Sequence, residues 1–314
     1  MEAHKAPDTI SPTTMKPLQV SPKKDEDQPE NEEVISGSEK QPLSDTPSDE
    51  LLDQLQNSHE VQRVVREGIL LASGAAAILL QVAMPGVAKG VDNHSSFAYK
   101  PLRRLRTTLT FVYCMAFGTR DEKRALITMV NRAHADVQGP DYSANDPELQ
   151  VWVASTLYAS GIFMYEEVYG PMESARADHV YREFSVLAVS LRVPPEMWPP
   201  SRKAFWKYWE SAVEKLEITP HARRVARDLL WNKHLFLPLR MGLPVVRLMT
   251  AQMLPDNVRE AYGLKTGRFQ RIFYSSVILG AKIGYPAIPK FIRTIPLQFY
   301  MKDMRRRLKK RGQV

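Results

Sequence analysis

In the stretch NRAHADVQG, His134 stands where a helix should end against a turn rich in Gly, Pro, Asp and Asn. Ile127, Val130 and Val137 lie seven, four and three residues from it. On a helix those spacings share one face, so the imidazole is directed inward with the apolar residues. Two readings follow: a core histidine satisfied by a local hydrogen bond, or a ligand to something the fold encloses. Multi-ligand metal chemistry is largely excluded. The residues three before His94, His134, His179, His221 and His234 are Val91, Asn131, Arg176, Ile218 and Trp231, so the Glu-x-x-His motif of helical di-iron sites is absent. His134-Ala135-Asp136 has the order of half a facial triad, but helical residues two apart point about 200° away from each other and cannot grip one ion. The metal option that needs a single protein donor is haem iron. With no C-x-x-C-H, any haem would be held without covalent bonds.

The second stretch with chemical content is PLRRLRTTLT, residues 101–110. Arg103, Arg106, Thr107 and Thr110 recur at spacings of three and four, a polar stripe on a helix that otherwise buries Leu105, Leu109 and Val112. Such a stripe is a solvated basic face, or it is a set of donors aimed into a pocket. In the second reading the arginines hold carboxylates, and Arg106 with Thr107 sits over bound dioxygen. Other common sites are missing: there is no G-x-S-x-G, no Walker A loop, no G-x-G-x-x-G and no H-E-x-x-H. The lone cysteine, Cys114, excludes an internal disulfide and reads as a buried, inert thiol.

These residues need helices to position them, and start and stop signals are nearly all helical. Ser48 precedes a helix over residues 49–56, and a long helix over 59–83 stops before Pro85. Pro101 opens a helix that Gly118 ends. Thr119 with Glu122 forms a capping box for a helix from Arg120 to about Val137, and Asp146-Pro147 starts one that reaches Tyr169. Further helices are expected near residues 174–191, 201–216, 220–230, 243–252, 256–262, 269–283 and 298–310. No stretch shows sustained period-two alternation, so the fold class is all-α, with one helical domain at 48–314. Residues 1–47 are acidic and rich in Pro and Ser, the composition of a disordered tail. The uncharged run from Gly68 to Val82 is too short before Pro85 to span a bilayer comfortably and reads as a core helix open to close approach by another helix or a flat cofactor.

The formal net charge is +8 over 314 residues, and because the tail is acidic the remainder is distinctly basic. Much of the excess lies in Arg305-Arg306-Arg307 and Lys309-Lys310-Arg311, which carry no nucleic-acid signature. A solvated helix end or peripheral membrane contact through this basic C-terminus is expected, and no nucleic-acid partner. The absence of a signal-peptide pattern predicts an intracellular protein, cytoplasmic or attached to a membrane such as the endoplasmic reticulum.

Four blocks, LLQVAMPGVAKGVDNHSSF, PLRRLRTTLTFVYCMAFGTRDE, NRAHADVQG and YSANDPELQVWVASTLY, resemble in order and spacing the MpaB-type and rubber oxygenase (latex clearing protein) family. The similarity extends from about Val65 to Leu308. It implies a globin-like helical domain carrying haem b, with iron on His134 as the metal and cofactor ligand. The family's distal R-x-x-K-T arrangement falls on Arg103, Arg106 and Thr107; Arg106 departs from the lysine of rubber oxygenase and, unable to deprotonate readily, should not act as a labile iron ligand. The rubber enzyme's catalytic carboxylate has no counterpart here, and the matching region offers His94, either as a pocket base or as a structural residue before Pro101. The implied activity is O2-dependent oxidation of a small apolar substrate, an isoprenoid C=C cleavage being the family's form of it. The alternative is a non-catalytic haem-binding or membrane-surface protein on the same helices.

Overall fold

The computed structural model describes residues 46–94 and 101–313, the side chains of residues 101–103 excepted. The expected tail therefore falls almost wholly outside the described residues. Those described form fifteen α-helices and one two-residue β pair. In order, the helices are α1 Asp49–Gln56, α2 His59–Val65, α3 Gly74–Val82, α4 Pro85–His94, α5 Pro101–Phe117, α6 Arg120–Ala135, α7 Pro147–Tyr169 and α8 Ser174–Val189. They continue with α9 Arg202–Glu214, α10 Pro220–Leu230, α11 Leu237–Met253, α12 Asp256–Ala261, α13 Arg268–Gly284, α14 Lys290–Arg293 and α15 Ile295–Lys310. Between α6 and α7, β1 Gln138–Gly139 pairs antiparallel with β2 Tyr142–Ser143. The all-α expectation holds.

Capping chemistry sets several helix starts where the sequence places them. The Thr119 hydroxyl accepts from the Glu122 amide at 3.2 Å, and the Glu122 carboxylate accepts from the Thr119 amide at 2.9 Å, both halves of a capping box. Asp146 accepts from the Glu148 amide at 2.9 Å with Pro147 in the first turn.

The single helix expected over residues 59–83 is instead divided. After α2 the chain extends at Glu67, then makes a 3-10 stretch at Gly68–Ser73 before α3 begins. Glu67 is 2% exposed and its carboxylate accepts from Arg293 and from the Tyr169 hydroxyl, each at 2.9 Å. A buried carboxylate needs such partners, and this one bends the backbone to reach them. Gly68 is required there because a Cβ would lie 2.8 Å from the Arg293 carbonyl oxygen. Pro85, expected as a stop, opens α4, since proline is tolerated in a first helical turn. No single described helix is long and apolar enough to cross a membrane; α2 with residues 68–82 reaches that length only as a pair bent by 68°.

Helix α7 is the axis of the core. It is buried on nearly every side, the pattern of a helix surrounded by others, and it packs against α2, α3, α8 and α13. Trp152 is fully buried, donates its indole N–H to the Leu80 carbonyl at 2.9 Å and stacks on Trp209 at 5.3 Å between centroids. Cys114 is buried as expected, and burial, with the nearby Glu122 charge, pushes its thiol up to about 12. Trp152→Ala leaves a cavity and removes the indole hydrogen bond to Leu80, so urea denaturation should show a loss of about 3–5 kcal/mol.

Candidate active site

Helix α4, the first turns of α5, the end of α6, the β pair and the start of α7 enclose a cavity of about 520 Å³. That volume lies in the range of roughly 300–1,000 Å³ typical of small-molecule and cofactor sites. Most of its wall is apolar, supplied by Val87, Val91, Val137, Leu149, Val153 and Leu191. Gly86 and Gly90, one turn apart on α4, admit close packing: a Cβ at Gly86 would lie 2.7 Å from the Leu149 side chain, and one at Gly90 3.3 Å from Val137.

His134 lines this cavity from the last turn of α6. Burial pushes its imidazole down to about 4, and the neighbouring charges of Arg104 and Arg192 press the same way. The ring is therefore neutral near pH 7. Neither ring nitrogen has a hydrogen bond among the described residues, so the reading of His134 as a locally satisfied core histidine lacks its partner.

Two polar atoms of the cavity wall are buried and unpartnered among the described residues: Nε of Arg104 and Oε1 of Gln150. Gln150 uses its amide nitrogen on the Ala144 carbonyl at 2.8 Å. Burial lowers the Arg104 guanidinium to about 10, so it remains a cation at neutral pH, one that water solvates poorly. A buried cation with an unused donor beside a neutral imidazole is the donor set for an anionic group carried on a metal complex.

The polar stripe expected on α5 is split by the structure. Thr107 lines the cavity, its hydroxyl donating to the Arg104 carbonyl at 2.9 Å. Arg106 does not face the cavity. It makes a two-pronged ion pair with Asp303 of α15, Nε to Oδ2 at 2.8 Å and Nη2 to Oδ1 at 2.5 Å. Thr110 likewise accepts from Arg307 of α15 at 3.3 Å. The expected position of Arg106 over a bound ligand is thus corrected: the cavity's α5 guanidinium is Arg104, about 200° round the helix from Arg106. The side chain of Arg103 lies outside the described residues. His94 ends α4 at the exposed rim, 3.0 Å from the Tyr142 hydroxyl, which also accepts from Asn93 at 3.2 Å. Arg104, Gln150 and Tyr142 are site residues that sequence reasoning missed; only the three-residue spacing from Arg104 to Thr107 hinted at the first.

The C-terminal basic run is a largely solvated helix end, one of the two expected readings, and part of it is ion-paired. Arg305 pairs with Glu122 at 2.7 Å, while Arg306 and Arg307 reach Asp303 at 3.3 and 3.1 Å. Three of its cations thus have partners within the protein, Arg306 and Arg307 sharing one carboxylate, while Arg305 and Arg306 stay largely exposed. No group of three or more His, Cys, Asp or Glu side chains among the described residues could hold a metal ion.

Residues 61–281 match the model of the catalytic domain described as ER-bound oxygenase mpaB/B'/rubber oxygenase. An uncharacterized protein of Mycobacterium bovis and another of Mycobacterium tuberculosis are each 33% identical to the chain over 241 residues, covering 74% of this chain and 94% of their own. No solved structure matches. The matched span contains every residue lining the cavity around His134, and the chain belongs to the mpaB and rubber oxygenase catalytic-domain family of oxygenases.

Proposed function

We propose that the protein is a haem b-dependent oxygenase that uses O2 on a small apolar substrate, and that His134 is its iron ligand. The observation that carries this reading is a neutral imidazole with no hydrogen bond among the described residues, lining a largely apolar cavity next to a buried guanidinium whose Nε has no partner among them. A lone pair on a neutral imidazole is what a haem iron accepts. Arg104 would pair with a propionate, gaining the partner its buried Nε lacks. Haem, when bound, would supply the iron at which dioxygen is activated.

The remaining wall residues do work of ordinary kinds. Valines and leucines exclude water and accept a hydrocarbon. Thr107 presents a hydroxyl at the cavity wall. At the mouth, the exposed His94 is hydrogen-bonded to the hydroxyl of the half-buried Tyr142, placed to pass a proton between cavity and solvent. Attack on a C=C bond is the reaction that the family relationship favours. A carrier or sensor on the same helices would hold an occupied sixth iron position, so the ferrous, haem-loaded protein should form a carbonyl complex with carbon monoxide. An unreactive six-coordinate spectrum would contradict the oxygenase reading.

Arg104→Gln should weaken haem binding roughly tenfold in a Soret titration, the worth of one charge-assisted hydrogen bond. Arg106→Gln should leave that affinity within about twofold, because its ion pair lies on the far side of α5.

The imidazole also makes a stability prediction. Its ordinary value is 6.5 and its value in the folded chain is about 4, so between them the unfolded chain binds the extra proton. Stability of the haem-free protein is therefore full above about pH 6.5 and falls as pH drops towards 4, by at most about 3 kcal/mol. His134→Gln should flatten that part of the profile when urea denaturation is compared at pH 7 and pH 4.5.

A further inference from the structure

Helix α13 has two unlike faces. Tyr274, Val277, Ile278 and Ala281 turn inward, where the helix packs on α7 and α11. The outer face carries Phe269, 88% exposed, with Phe273 and Ile283, the last 72% exposed. The first turns of the adjoining α11 stand equally clear, with Leu237 and Met241 exposed, the latter by 73%. Contiguous apolar surface of this kind marks an interaction site in a folded protein.

The charge around it has one sign. Residues 229–255 and 261–302, which carry this surface, contain no Asp or Glu at all. Their exposed cations include Arg240, Lys265, Arg268, Arg271, Lys282 and Lys290, and none of the six is in an ion pair among the described residues. The arginines of α15 differ in having partners, Arg305 with Glu122 and Arg306 and Arg307 with Asp303.

We propose that the outer face of α11 and α13 seats the protein on the surface of a bilayer containing anionic lipid. The bilayer offers both things the face lacks: an apolar layer for Phe269, Phe273, Ile283 and Met241, and phosphates for the cations beside them. A second copy of the chain meeting the same face would cover the apolar residues but would bring the same cations and no carboxylate against them. At 17 residues α13 lies along the surface and does not span. The proposal places membrane contact on different residues from the basic C-terminus and does not depend on the cofactor.

The test is flotation of the full chain with vesicles of phosphatidylcholine alone or of phosphatidylcholine mixed with phosphatidylserine. The protein should float with the anionic vesicles, at least about tenfold more than with neutral ones, and salt should weaken the difference. The double variant Phe269→Asp/Ile283→Asp should lose at least about tenfold in partitioning. Its circular dichroism and Tm should stay unchanged, because both side chains are exposed. A wild-type chain that floats with neither vesicle, or a double variant that floats as well as wild type, would overturn the proposal. So would a wild-type dimer, seen by sedimentation equilibrium without vesicles, that the double substitution dissociates, since the face would then belong to a second copy.

Discussion

Helix α5 has to satisfy three neighbours within five turns, and the molecule is arranged around that demand. Successive residues on a helix are turned by about 100°, so each neighbour receives its own row. Arg106 and Thr110 go to α15, Leu105, Leu109 and Val112 go to the apolar interior, and Arg104 and Thr107 go to the cavity of His134. The rotation is pinned by the ion pair to Asp303. Burial works against that carboxylate, yet Arg106, with Arg307 and Arg306, holds it below the ordinary range. Leu105, Leu109 and Val112, turned to the apolar interior, fix the same rotation, and Arg104 on the side away from Asp303 sits where water solvates it poorly.

The cavity that results is electrically unbalanced. It places an imidazole next to two guanidiniums and offers no carboxylate among the described residues that line it. Protonating His134 there adds a third positive charge, which explains the direction of its shift, and leaves a lone pair available at physiological pH. A bound group that is anionic at one edge and accepts a nitrogen lone pair at its centre would relieve both conditions. Haem is such a group, and the family to which the chain belongs consists of oxygenases.

Much of this was legible in the sequence, and the gaps have a common origin. Helix starts governed by neighbours three residues away, such as Thr119 with Glu122 or Asp146 with Pro147, can be read directly, as can the shared face of Ile127, Val130 and His134. What was misread depended on residues far along the chain. The break at Glu67 answers to Arg293, 226 positions later. Arg106 is drawn away from the cavity by Asp303, and Arg305 of the basic terminus pairs with Glu122, neither of which periodicity within one helix can reveal. The outer face of α13 carries apolar residues at helical spacing, a pattern that reads as core until the structure shows that nothing packs over it among the described residues.

The proposed coordination of iron by His134 is the step on which the functional reading rests, and it can be measured on the purified chain. Titration with ferric haem should saturate at one equivalent and give the Soret band of a histidine-ligated haem, and the same titration of a folded His134→Ala protein should give only the spectrum of free haem. A Soret band of equal position and intensity in the variant would show that the iron is held elsewhere.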